Sequence, residues 1–189
     1  MRLPGGGVAA VRHFYMDGMP MASSAELREQ RAAMELALEH LQRERGVDDA
    51  DVATALRDLG RVTHELGEME DAQALLRRAI AIHTIALGAE HPDTATDINH
   101  LGLVLHDIGD LDAAHNAFER ALSIDEAHFG NSHTHVARDV NNLAGVLRDM
   151  GDNFSARTAL QWSLRIYVEK LGEEHPTTKS VSRNLRLLG

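Results

Sequence analysis

Twelve histidines are the side chains of this 189-residue sequence that first invite a chemical reading. An imidazole can ligate a metal, act as a general base or carry a proton at neutral pH. The tightest set is His133 and His135, with His128 a little before them. A metal needs three or four donors converging at fixed distances, and this spacing does not guarantee that. His133 also stands at the same register as His91 and His175, which points to a role in a recurring turn rather than to a metal site. The chain has no cysteine, so a thiolate centre and a disulfide framework are both excluded. Nor is there a G-x-S-x-G elbow, an H-E-x-x-H pair or a Gly-rich phosphate loop. Serines or threonines near His or Asp arise by chance in so polar a set of segments. These residues predict a protein that is not an enzyme and carries no cofactor and no metal.

Composition narrows the partners. Hydrophobic residues make up 43% and charged residues 25%, which fits a folded soluble chain. Only 4% are aromatic, and the apolar content is mostly Ala, Leu, Val and Ile, which suits close-packed helices. The formal charge of -10 opposes attraction to nucleic acid or to anionic lipid. No apolar run approaches the length of a membrane span, and Val8 to Val11 is cut short by Arg12 and His13, unlike a signal peptide. We expect a soluble, cytoplasmic protein.

A repeat supplies the framework for these side chains. Gly67, Gly109 and Gly151 lie 42 residues apart, and so do Gly88, Gly130 and Gly172. Two glycines therefore punctuate each unit, and the segments between them carry apolar residues at helical spacing, as in Leu56, Leu59, Val62, Thr63 and Leu66. Each unit reads as two helices. Small residues recur in register as Gly60, Gly102 and Ala144, as Ala72, Ala114 and Ala156, and as Ala79, Ala121 and Ser163. Closely crossing helices need small side chains at the contact, with Leu76, Phe118 and Leu160 filling the space beside it. Pro92 and Pro176 suit a first helical turn, Gly88, Gly130 and Gly172 suit helix exits, and Asp110 and Asp152 suit N-caps.

The pattern resembles the tetratricopeptide repeat (TPR), in the longer variety found in kinesin light chains. The resemblance covers residues 49–189. It is carried by the linker from Leu87 to Thr94 and its counterpart from Leu171 to Thr178, by Val140-Asn141-Asn142-Leu143-Ala144, by Arg148-Asp149-Met150-Gly151-Asp152 and by Leu75-Leu76-Arg77-Arg78-Ala79-Ile80-Ala81-Ile82. The linker at Phe129-Gly130-Asn131-Ser132-His133 departs by lacking its proline, and Ser163 departs in the third small series. The resemblance implies an all-α, right-handed superhelical solenoid of antiparallel helix pairs. Repeats are expected over residues 49–90, 91–132 and 133–174, with capping helices over 23–46 and 175–189 and a flexible leader over 1–22.

The ends break the regularity. Arg186 falls where the earlier copies have Gly60, Gly102 and Ala144, and a bulky charge fits there only if no further helix packs against it. At the front, Gln30 replaces the expected alanine, and Ser23 with Glu26 forms a capping box. The glycines and prolines before it make a poor helix, and Met19 or Met21 would serve equally as a start. The expectation is a closed array of three repeats.

What the resemblance implies about function is a protein–protein interaction scaffold that binds a partner's peptide or helix in a groove lined by first helices. Carrying the family's groove positions onto this chain gives Arg57, Arg61 and His64, then Asn99, Leu103 and His106, then Arg138, Asn141 and Arg148. Asn can hydrogen-bond both groups of an extended backbone, and Arg can grip a carboxylate, so a basic groove on an acidic molecule would draw in an acidic peptide. An alternative is a sensory or regulatory protein that recognises a signal peptide or small ligand and controls another protein. Arg77, Arg78 and Arg120 fall on second helices, where solvation and local ion pairs explain them. Phe154, Trp162 and Tyr167 replace polar residues of the earlier units. They are read either as packing for the terminal helix or as a second interface, including one for self-association.

Overall fold

The computed structural model describes residues 22–188, which contain eight α-helices and no strand. The expected leader lies outside the described residues except for Ala22. The helices are α1 (Ser24–Arg45), α2 (Ala50–Glu65), α3 (Met69–Ala86), α4 (Pro92–Asp107), α5 (Leu111–Phe129), α6 (Thr134–Asp149), α7 (Asn153–Leu171) and α8 (Pro176–Leu187). The described residues form two compact units, one reaching to Val104 and the other beginning at Leu105, so the division falls inside α4.

Helix length is set by backbone chemistry at both ends. Gly46, Gly67, Gly88, Gly109, Gly130, Gly151 and Gly172 all adopt positive φ, and each stands 21 residues after the one before. Each follows one of the first seven helices, where an L side chain would be strained and glycine is not. At the helix starts, Asp110 accepts a hydrogen bond from Ala113 N at 3.2 Å, and Asp152 accepts one from Ser155 N at 3.0 Å. Ser23 and Glu26 form the reciprocal capping box of α1. Pro176 occupies the first turn of α8, where its missing N–H leaves no acceptor unpaired.

In the first unit α1 packs on α2 and α2 on α3. Its core joins Leu38 of α1, Val52, Ala53, Leu56 and Leu59 of α2, and Ala79 and Ile82 of α3. A neighbouring cluster joins Ala72 and Leu76 of α3 to Val104 of α4. Gly60 is what allows α2 to approach α3: a Cβ built there would lie 3.0 Å from Leu76 Cγ and 3.2 Å from Leu76 Cδ2.

In the second unit α5 packs on α6, α6 on α7 and α7 on α8. Val136, Ala137, Val140 and Ala144 of α6 meet Leu160, Ile166 and Tyr167 of α7 and Val181 of α8. Ser163, which departs from the alanine of its register, is fully buried and donates its hydroxyl to Ala137 O at 2.7 Å. The polar substitution is therefore satisfied, as a buried hydroxyl must be. Arg186 is exposed, whereas Gly60, Gly102 and Ala144 at the same register are buried, and Gln30 is exposed where Ala72, Ala114 and Ala156 are buried.

Candidate functional site

Helical geometry places the expected groove residues in stripes. Arg57, Arg61 and His64 follow at intervals of four and three along α2, and Asn99, Leu103 and His106 do so along α4. On α6, Arg138, Asn141, Gly145 and Arg148 share one stripe by the same rule. The glycine in that stripe leaves room beside the two long side chains.

In the first unit the stripe on α2 is tied to carboxylates. The Arg57 side chain is only 13% exposed, and its guanidinium donates to Asp97 at 3.2 Å and to Asp93 at 3.4 Å. Arg61 pairs with Glu65 one turn along the same helix. His64 and Leu103 are half-buried, and Asn99 is 1% exposed, so its side chain is part of the interior. Asp97 also receives His83, whose Nδ1 lies 2.6 Å from its Oδ2. Burial pushes the Asp97 carboxyl above the ordinary range, and His83 and Arg57 partly reverse this.

The second unit repeats the theme with different residues. His106 is buried, with Nε2 2.8 Å from Asp149 Oδ2. Arg148 donates to the other oxygen of Asp149 at 2.8 Å. Burial alone would raise the Asp149 carboxyl, but the hydrogen bonds from His106 and Arg148 outweigh it and hold the group at about 2. Arg138 bridges two fully buried carboxylates, Asp125 at 3.1 Å and Asp139 at 2.9 Å. Asn141 is 9% exposed, its amide donates to Asn142 Oδ1 at 3.4 Å, and its own Oδ1 has no hydrogen-bond partner.

These pairings change the electrostatic expectation. Arg57, Arg61, Arg138 and Arg148 each face at least one carboxylate: Asp93, Asp97, Glu65, Asp125, Asp139 or Asp149. The four arginines are neutralised where they stand and do not amount to a free basic surface. The carboxylates that hold them were not legible as a set, because Asp97 and Asp139 look like ordinary helix-surface acids in a sequence with 29 Asp and Glu. Their common register, 42 apart on two first helices, was the available signal.

The three aromatic residues do not form one surface. Tyr167 belongs to the core, where burial pushes its hydroxyl up to about 12. Trp162 is half-buried against that core and donates its indole N–H to Asn131 O at 3.3 Å. Phe154 is 82% exposed. Of the linker histidines, His91, His133 and His175 each accept, through Nδ1, an amide hydrogen bond at 3.2 Å from the residue two further on. They serve as N-caps of α4, α6 and α8. Among the described residues no group of three or more His, Cys, Asp or Glu side chains is arranged to hold a metal ion, and no helix is long and apolar enough to cross a membrane.

Antiparallel helix pairs on a 42-residue period, with small residues at their crossings and polar stripes on their first helices, define an all-α helical-repeat protein. The tetratricopeptide repeat family matches residues 28–85 and 53–127, and again residues 140–177. The chain belongs to that family, and its fold is of the kinesin-light-chain-like kind. Among solved structures it is similar to BtubC (BKLC) from P. vanneervenii, with a TM-score of 0.71 and 22% identity over 86% of this chain. The chain spans 65% of the length of that protein. It is also similar to a Podospora anserina protein titled as a kinesin light chain with nearly identical TPR-like repeats, in two structures with TM-scores of 0.71 and 0.70. Each is 18% identical, over 95% of this chain and 82% of that one. No curated protein matches the sequence. Tetratricopeptide repeats are generally protein–protein interaction modules, and proteins of this kind are typically non-catalytic scaffolds.

Proposed function

We propose that this chain is an interaction module that binds an extended peptide segment of a partner protein along the stripes of its first helices, with the α6 stripe as the main anchor. The observation that carries this reading is Asn141: its carbonyl oxygen is buried without a partner, midway between Arg138 and Arg148. A buried, unsatisfied amide oxygen costs on the order of 1–3 kcal/mol, which a backbone N–H from a bound peptide would recover. The amide nitrogen beside it can serve the adjoining peptide carbonyl. Arg148 and Arg138 keep one edge each toward solvent, their side chains being about a quarter exposed. A partner's carboxylate would have to share them with Asp149, Asp125 and Asp139, so backbone hydrogen bonds and shape contribute more than net charge.

Selection from a peptide-display library followed by calorimetry tests the reading. Peptides that bind the wild-type chain are expected to lose at least tenfold in affinity against Asn141→Ala and against Arg148→Ala, with helical circular dichroism unchanged. Peptides that bind both variants as tightly as wild type would place the site elsewhere.

A further inference from the structure

The three successive contacts between a second helix and the following first helix are built on the same two registers and filled in three different ways. At the first, His83 faces Asp97. At the third, the same positions hold Tyr167 and Val181, both in the apolar core. At the second, between α5 and α6, the positions hold Asp125 and Asp139, two carboxyl groups with no exposure at all. Like charges meet at this contact and at neither of the others.

The groups that face the pair come from three helices. Asp125 is on α5. His135, Arg138 and Asp139 are on α6, and Tyr167 of α7 lies close enough to Arg138 and Asp139 for its own hydroxyl to feel both charges. Arg138 supplies one buried positive charge to the two carboxylates. His135 Nδ1 is 3.6 Å from Asp125 Oδ2, but that side chain is 39% exposed and edges against the rings of Phe129 and His133. Two carboxylates and one guanidinium leave a net negative charge in a dry contact, where desolvation is most expensive. A single proton removes it. The two carboxyl groups are also in hydrogen-bond contact with each other, and that bond needs a hydrogen.

We propose that Asp125 and Asp139 share one proton, and that the packing of α5 on α6 is thereby a proton-linked contact, tight while the proton is present and loosened when it leaves. The proton sits between the two carboxyl groups, with Arg138 bridging the remaining charge. The direction of titration agrees: burial, and the neighbouring Asp125 charge, outweigh Arg138 and raise the Asp139 carboxyl from its ordinary 3.8 to about 7. A carboxyl raised in the folded state stabilises it fully below the unfolded value, and that contribution disappears as pH rises toward 7. The contact is therefore firm in mild acid and weakest in mild alkali. The pair titrates as a unit, so the macroscopic midpoint belongs to both residues.

Carboxyl carbon NMR of the aspartate-labelled full chain between pH 4 and 9 reads the proton directly. Two aspartates are expected to shift together with a midpoint at least two pH units above the rest, and Asp125→Asn or Asp139→Asn should abolish the paired transition. Thermal melting adds the mechanical consequence. From pH 5.5 to 8.5 wild type should lose at least about 4 °C more in Tm than Asp139→Asn, whose amide supplies a hydrogen at every pH. If every aspartate in the wild type titrates below pH 5, the shared proton does not exist, whatever the variants do. If the pair titrates near neutrality but wild type and Asp139→Asn lose Tm in parallel, the proton is present without controlling the contact, and the proposal fails on that point. Should Asp139→Asn not fold, Asp125→Asn serves the same comparison.

Discussion

His83 of α3 and Asp97 of α4 meet with Nδ1 2.6 Å from Oδ2, and neither side chain reaches solvent. The second ring nitrogen of His83 lies 3.1 Å from Ala50 O, so both nitrogens face acceptors, the arrangement an imidazolium satisfies. Arg57 closes the group on the other carboxylate oxygen. Three helices of the first unit are thus joined through one buried carboxylate. Removing one member of such a group strands a charge, which typically costs about 3–5 kcal/mol. His83→Ala is expected to fall at or just below that range, because Arg57 stays with Asp97. Urea unfolding followed by circular dichroism measures it; a loss under about 1 kcal/mol would show that Arg57 alone satisfies Asp97.

The α2–α3 crossing gives a test of shape rather than charge. A methyl at Gly60 would press on Leu76 Cγ and Cδ2, the far part of a side chain that can yield slightly. Alanine also recovers about 1 kcal/mol of helix propensity over glycine. Gly60→Ala is therefore expected to leave stability within about 1 kcal/mol of wild type. Gly60→Val adds branching against the same contact, and overpacking typically costs about 1–3 kcal/mol. Denaturation midpoints of the pair should separate in that order; equal midpoints would mean that α2 and α3 move apart freely.

The fold was legible because it is written in spacing. Glycines at fixed intervals, prolines at helix starts and small residues at crossings each follow from a local steric rule, and none needs knowledge of a distant partner. Gly46 belongs to the same ladder, although its partner copy is one period removed from the two series that stand out. The stripes on α2, α4 and α6 were legible for the same reason. What each stripe residue touches was not. Arg57 and Arg138 read as free cations because the carboxylates that engage them, Asp97 and Asp125, are 40 and 13 residues away. Asn99 and His106 read as surface residues because polarity alone cannot distinguish a solvated side chain from one satisfied in the interior. Tyr167 was placed in register correctly, but its burial follows from Val181 opposite it, which replaces the aspartate of the earlier copies.

Asp149 predicts a separate response in acid. Its carboxyl is held at about 2 by His106 and Arg148 despite the opposing effect of burial. A carboxyl depressed in the folded state contributes stability above its unfolded value near 3.8, and that contribution is lost as pH falls toward 2. Asp149→Asn has nothing to lose in that window. Wild type should be the more stable of the two at pH 5, with the gap closing between pH 4 and pH 2. Chemical denaturation at pH 5, 3.5 and 2.5 measures the gap, and a constant difference across the three would assign the interaction of Asp149 with His106 and Arg148 no net value.

The linker histidines make the last prediction, since a ring nitrogen is an unusual N-cap. His175 Nδ1 accepts from Thr177 N at 3.2 Å at the start of α8, the helix where the fewest tertiary contacts compete with the cap. Replacing a capping side chain by alanine typically costs about 1 kcal/mol, whereas aspartate is a preferred cap and also favours the helix dipole. His175→Ala should therefore loosen α8, seen as faster amide exchange from Lys179 onward, while His175→Asp should match or exceed wild-type protection. The same pair of substitutions at His91 should change global stability instead, because α4 shares a core cluster with Ala72 and Leu76 and cannot fray alone. If His175→Asp frays α8 as much as alanine does, the imidazole is acting through ring packing and not through its lone pair.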